Sequence, residues 1–242
     1  MAKETDAGLT VWTIGHSTRS LSEFLDTLDR AAITVVGDVR RFPGSRKYPQ
    51  FNQEPLAEGL AQAGVGYLPL AQLGGRRRAN PDSPNTAWRN ASFRSYADHM
   101  VTGEFREGLE QLLEVAAHER VAMMCSEAVW WRCHRGLIAD LLKAHGHRVV
   151  HLLSAASHKE HPYTTAATVK DGRLSHATQA EEGQSPKQEE GVARNRVHAT
   201  VEQPPTLLPL SCPQDFRQVR RQGLELQFEC CRGRARIPGV AL

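Results

Sequence analysis

The decisive stretch is Val121-Ala122-Met123-Met124-Cys125-Ser126-Glu127, a loop, Cys133-His134-Arg135, and then Val149-Val150-His151-Leu152-Leu153. Five apolar residues in a row, ended by polar ones, suit a strand covered on both faces. Between the two apolar runs, Leu137, Ile138, Leu141 and Leu142 recur at helical spacing and predict a helix over 134–145. Strand, helix, strand in that order is the crossover unit of a parallel sheet.

The same alternation runs back toward the start. Thr10-Val11-Trp12-Thr13-Ile14 and Ile33-Thr34-Val35-Val36-Gly37-Asp38-Val39 read as strands, with Gly64-Val65-Gly66-Tyr67-Leu68-Pro69-Leu70 leading into a third. Ser20-Leu21-Ser22-Glu23 has the form of a capping box, with Ser17 as a rival cap, ahead of Leu21, Phe24, Leu25 and Leu28 at helical spacing. Pro55 opens a short helical pattern over 55–61. Residues 92–117 predict two helices broken near Thr102-Gly103, the second carrying Phe105, Leu109, Leu112 and Leu113 inward. The expected fold is α/β: a mainly parallel sheet of about five strands with helices on both faces, over residues 9–175. Residues 176–242 are rich in proline and glutamine without sustained periodicity, and are expected to form a largely disordered C-terminal tail.

In 242 residues, 30 Lys and Arg against 27 Asp and Glu leave +3, too near balance to argue for bulk nucleic-acid binding. No run nears the roughly 18 apolar residues that span a bilayer, so no membrane partner is expected. The first residues lack the apolar stretch of a secretory signal, and the five scattered cysteines form no disulfide framework. The expected compartment is the cytoplasm, with reduced thiols.

In an open parallel sheet, ligands sit outside the carboxyl ends of the strands. Polar clusters follow the strands here: Gly15-His16-Ser17-Thr18-Arg19, Asp38-Val39-Arg40, Leu73-Gly74-Gly75-Arg76, and Cys125-Ser126-Glu127 with Cys133-His134-Arg135. Parallel strands bring these groups to one edge. There Arg40, Arg76 and Arg135 are forks for carboxylate or phosphate, joined by His16, Ser17 and the helix start at His134. Asp38, Glu127, His16 and His134 are candidates to move protons, and Cys125 and Cys133 are candidate nucleophiles beside arginines. Each also has a plainer reading. Asp38 and Arg40 can pair with Arg135 or Glu127 merely to hold loops, Cys125 can be a small core residue, and Ser17 can cap a helix. Gly74-Gly75 either permits a turn or lets backbone approach a ligand.

Cys-x7-Cys-His is not a zinc-finger spacing, so no metal is assigned, although His151, His158 and His161 follow nearby. A thiol-phosphatase loop needs its arginine one residue earlier than Arg132, and glycines that this loop lacks. Arg76-Arg77-Arg78 and the segment around Trp88, Arg89, Phe93 and Arg94 form a polar insertion that either contacts nucleic acid or folds over the cleft.

Taken together, several short motifs resemble the family called domain of unknown function 488. They are Thr13-Ile14-Gly15-His16-Ser17-Thr18, Asp38-Val39-Arg40 with Pro43 and Ser45, Pro49-Gln50-Phe51-Asn52, Leu73-Gly74-Gly75, and Cys125-Ser126-Glu127 followed by Cys133-His134-Arg135. The resemblance runs in order over residues 11–175. It implies an α/β domain without implying a reaction. Family members often carry proline where this chain has Trp130 or Trp131, a change in the stiffness and bulk of the loop. The functional expectation is an enzyme-like domain binding an anionic small molecule, such as a nucleotide or phosphorylated compound, with no cofactor assigned. The alternatives are a nucleic-acid-associated domain and a protein-interaction module that recruits through its tail.

Overall fold

Strand β4 (Val121–Cys125) is buried along its whole length, as its uncharged sequence requires. Its side chains alternate between two cores: Val121, Met123 and Cys125 enter one cluster, Ala122 and Met124 the other. β4 lies between β1 (Thr10–Gly15) and β2 (Val35–Asp38) and runs parallel to both. Outside these, β3 (Gly66–Pro69) pairs parallel with β2, and β5 (Arg148–Ser154) pairs parallel with β1. The computed structural model describes residues 8–178.

Helices cover both faces, as expected. On one side α1 (Leu21–Arg30) and α2 (Gln53–Gln62) bury Phe24, Leu28, Leu56 and Leu60. On the other, α3 (Ala91–His99), α4 (Gly103–Ala116) and α5 (Arg135–Ala144) bury Tyr96, Phe105, Leu112, Leu137 and Ile138. Ser20, rather than Ser17, caps α1. It accepts from the Glu23 amide while Glu23 reaches back to the Ser20 amide. Thr102 caps α4, so the break expected at Thr102-Gly103 is real.

The sheet order is β3-β2-β4-β1-β5-β6. Its sixth strand, β6 (Ser157–Glu160), is antiparallel to β5 and was not expected from the sequence. Ser-His-Lys-Glu carries no apolar alternation because all four side chains are exposed on an edge, where charge discourages further pairing. A separate hairpin of β7 (Thr168–Lys170) and β8 (Arg173–Ser175) also escaped the pattern. Asp171-Gly172, both at positive φ, is the turn signal that marks it. The folded chain continues through His176, whose carbonyl accepts from the Ala87 amide. The tail expected over 176–242 lies, beyond residue 178, outside the described residues.

The connection leaving β2 runs to β3 on one side, and that leaving β4 runs to β5 on the other. Their carboxyl ends therefore flank a topological switch point. Among the described residues no helix is long and apolar enough to cross a membrane. Leu112 lies fully buried over Gly37 of β2. Leu112→Ala is expected to lower the unfolding free energy by about 2–5 kcal/mol. Val101→Ala, at a position 80% exposed, is expected to change it by less than about 0.5 kcal/mol. Urea titrations of the two variants check this, and equal effects contradict the assigned core.

Candidate functional site

Three loops are sewn together where β1, β2 and β4 end. The His16 amide donates to the Cys125 carbonyl at 2.9 Å, the Ser17 amide to Ser126 at 3.0 Å, and the Val39 amide to Met124 at 3.0 Å. Gly15 is required by this closeness, because a Cβ there would lie 1.8 Å from the Glu127 carbonyl oxygen. Ser17 sits at φ 49° with its side chain half-buried.

Asp38 and Arg40 meet as a buried pair. Arg40 donates Nε to Oδ1 at 2.8 Å and Nη2 to Oδ2 at 2.6 Å, and its amide also reaches Oδ1. The Tyr67 hydroxyl donates to Oδ2 at 2.8 Å, which saturates the carboxylate. The fork of Arg40 thus faces Asp38, and its Nη1 lies 3.4 Å from His16 Nε2. His16 Nδ1 donates to the Ser17 carbonyl at 3.1 Å, leaving Nε2 as the acceptor. The ring stacks on Phe51 at 4.3 Å. Burial and the Arg40 charge lower the His16 pKa to about 4, so the imidazole is neutral.

A second cluster joins Cys125, Cys133, His134 and Arg135. The two sulfurs and His134 Nδ1 all lie within 4.8 Å of one another. His134 Nε2 donates to the Val39 carbonyl at 2.9 Å, which turns Nδ1 toward Cys133 Sγ at 3.7 Å. Gly75 gives the ring its room: a Cβ there would sit 3.0 Å from Nδ1. Gly74-Gly75 thus makes a close approach within the chain, to the Arg41 backbone and the His134 ring. Three soft donors are one short of a closed tetrahedral metal site, and no fourth His, Cys, Asp or Glu joins them among the described residues.

Arg135 is 1% exposed. Its Nε donates to Cys133 Sγ at 3.3 Å, its Nη1 to Thr13 Oγ1 at 3.5 Å, and its Nη2 to the Glu127 carbonyl. Among the described residues no carboxylate lies within ion-pair distance of it. The hydrogen bond with Cys133 and burial push the Cys125 thiol up to about 12. Burial also acts to raise Cys133, but the bond from Cys125 and the charge and N–H groups of Arg135 prevail and lower it to about 6. The surroundings therefore favour the thiol form at Cys125 and the thiolate form at Cys133, both under 10% exposed.

Two expected residues stand apart. Glu127 is exposed, and only its backbone touches the cluster. Arg76, at φ 58°, is exposed, and its carbonyl takes a bond from Arg41 while its guanidinium makes none among the described residues. In the insertion, Trp88 and Phe93 pack together at 4.9 Å and against the core, so these rings face inward. Arg77 is held by Glu104, and Arg94 by the Trp88 carbonyl.

A family model described as Domain of unknown function DUF488 matches residues 20–142. The chain belongs to this family. The DUF488 match includes Asp38, Arg40, Tyr67, both cysteines, His134 and Arg135, and leaves out His16 and β5. Neither a curated protein nor a solved structure matches the chain.

Behind the DUF488 motifs runs a buried chain that sequence reasoning did not assemble. His161 Nε2 donates to Asp140 Oδ1 at 3.1 Å, His151 Nε2 lies 2.9 Å from His161 Nδ1, and the Thr13 hydroxyl lies 2.7 Å from His151 Nδ1. Thr13 in turn accepts from Arg135. Trp130 stacks on His151 at 4.6 Å. The signals were a histidine inside an apolar strand and an aspartate, Asp140, inside an apolar helix.

Both perturbed groups make stability fall with pH. Below 6.5 an unfolded His16 takes up a proton that the folded chain refuses until about 4. The stability contributed by the Cys133 thiolate is likewise lost as pH falls from 9 through about 6. The urea midpoint is expected to decline steadily from pH 6.5 to pH 4, less steeply in His16→Gln. A midpoint that holds or rises over that interval contradicts the assignment.

Proposed function

We propose that the domain is an enzyme-like thiolate centre, in which Cys133 attacks an electrophilic atom of a small anionic molecule at the carboxyl edge of the sheet. One observation carries this reading. Arg135 is a buried cation with no carboxylate beside it, and its Nε points at Cys133 Sγ. A buried charge calls for a counter-charge, and the thiolate supplies one. The new bond forms from sulfur as the leaving group departs with its electron pair.

Roles for the remaining groups follow from their freedom to act. Asp38 is saturated by Arg40 and Tyr67, so Glu127, exposed on the loop that carries Cys133, is the better general base for a following hydrolytic step. Arg76, exposed beside Gly75 and therefore near His134, is the arginine free to meet an anion. Arg40 and His16 hold the floor of the site. A reducing, cytoplasmic setting suits two free cysteines that work as thiol and thiolate. The nucleic-acid alternative needs Trp88 and Phe93 as stacking platforms, and their packing against the core favours the small-molecule reading.

Thiolate absorbance in the ultraviolet, taken as the difference between wild type and Cys133→Ser, tests this without requiring reagent access. The signal is expected to appear with a midpoint near 6, and to move up toward 9 in Arg135→Met. A midpoint near 9 in the wild type overturns the reading. So does a thiolate signal that depends on a bound metal and disappears with a chelator.

A further inference from the structure

Two sulfurs, not one, occupy the edge, and they differ in state. Cys125 ends β4 and Cys133 precedes α5, with the seven-residue loop between them folding back so that their Sγ atoms lie within 4.8 Å. The neighbouring Cys133 sulfur and burial push the Cys125 thiol up, while the Arg135 guanidinium draws Cys133 down. The pair is 6% and 4% exposed, so a bulky electrophile is shut out. Arg135 spans Cys133 Sγ and the Thr13 hydroxyl, which puts a fixed cation and hydrogen-bond donors beside any oxygen that reaches the sulfur. This arrangement combines a stabilised thiolate with a protonated second thiol.

We propose that Cys133 and Cys125 form a two-thiol redox pair whose oxidant is a hydroperoxide, Cys133 being the residue attacked and Cys125 the one that closes the disulfide. The proposal rests on the thiolate reading above. The Cys133 thiolate attacks one peroxide oxygen; the S–O bond forms, the O–O bond breaks, and the leaving oxygen takes the electron pair and a solvent proton. Sulfur loses two electrons, the peroxide becomes an alcohol or water, and Cys133 becomes a sulfenic acid. Cys125 then attacks Cys133 Sγ, its thiol proton leaves with the sulfenic hydroxide as water, and an S–S bond joins the two residues. A dithiol reductant returns both thiols by supplying two electrons and two protons.

Hydrogen peroxide added to the full-length, reduced protein tests the proposal, with peptide mapping so that Cys212, Cys230 and Cys231 are scored separately. The expected result is one Cys125–Cys133 bridge per chain, reversed by dithiothreitol. Cys125→Ser should stop at a sulfenic acid trapped by dimedone. Arg135→Met should slow oxidation of Cys133 by about 10- to 100-fold at neutral pH, as its thiolate fraction falls. No bridge in the wild type, or oxidation of Cys125 at the same rate in Cys133→Ser, overturns the proposal. One equivalent of bound zinc that protects both sulfurs overturns it too. A thiolate signal near 6 without peroxide reaction ends the redox proposal alone. Absence of the thiolate signal ends both readings.

Discussion

A guanidinium removed from water has to meet opposite charge, and the arrangement around Arg135 follows from that constraint. The side chain leaves the first turn of α5 and lies under the loop that connects β4 to the helix. Its partners come from three places: Cys133 beside it, the Glu127 carbonyl on the loop, and Thr13 on β1, far away in sequence. They meet only because β1 and β4 are parallel neighbours with Gly15 level with Cys125. Reversing either strand would send Thr13 and the cysteines to different ends of the sheet.

The chain through Thr13, His151 and His161 to Asp140 extends the same constraint. Its bonds run unbroken from the Thr13 hydroxyl through both imidazoles to the carboxylate, so each bond polarises the next. Asp140 is itself held by the Thr164 hydroxyl and amide, and burial, which acts to raise its pKa, is outweighed by the bonds from His161 and Thr164. α5 therefore carries both ends of the network, Arg135 and Asp140, while β1 and β5 carry the middle. The second buried pair, Asp38 with Arg40, is completed by Tyr67 and His16, and is linked to the first cluster by His134, whose ring is bonded to the Val39 carbonyl.

Much of this was legible in the residue pattern. The apolar pentad that ends in Cys125 and the stripe Leu137, Ile138, Leu141, Leu142 carry enough periodicity to give the parallel sheet, and the sheet then predicts that the polar clusters share an edge. How the groups divide their work was not legible, because it depends on side-chain geometry. Nothing in Asp38-Val39-Arg40 says that the fork turns back on its own carboxylate, and nothing in Cys125 and Cys133 says which sulfur carries the charge. Edge strand β6 and the β7–β8 hairpin were invisible to periodicity since exposed short strands bury no regular face. Thr13, His151 and Asp140 looked like isolated polar residues in apolar elements, and only their contact reveals a network.

The most direct measurement is a double-mutant cycle on folding stability between Arg135→Met and Cys133→Ala. Removing the sulfur alone strands a buried cation, and is expected to cost about 3–5 kcal/mol, whereas the double variant recovers most of that loss. A double variant whose loss equals the sum of the two single losses would show that the guanidinium and the thiolate do not balance each other, and would contradict the account.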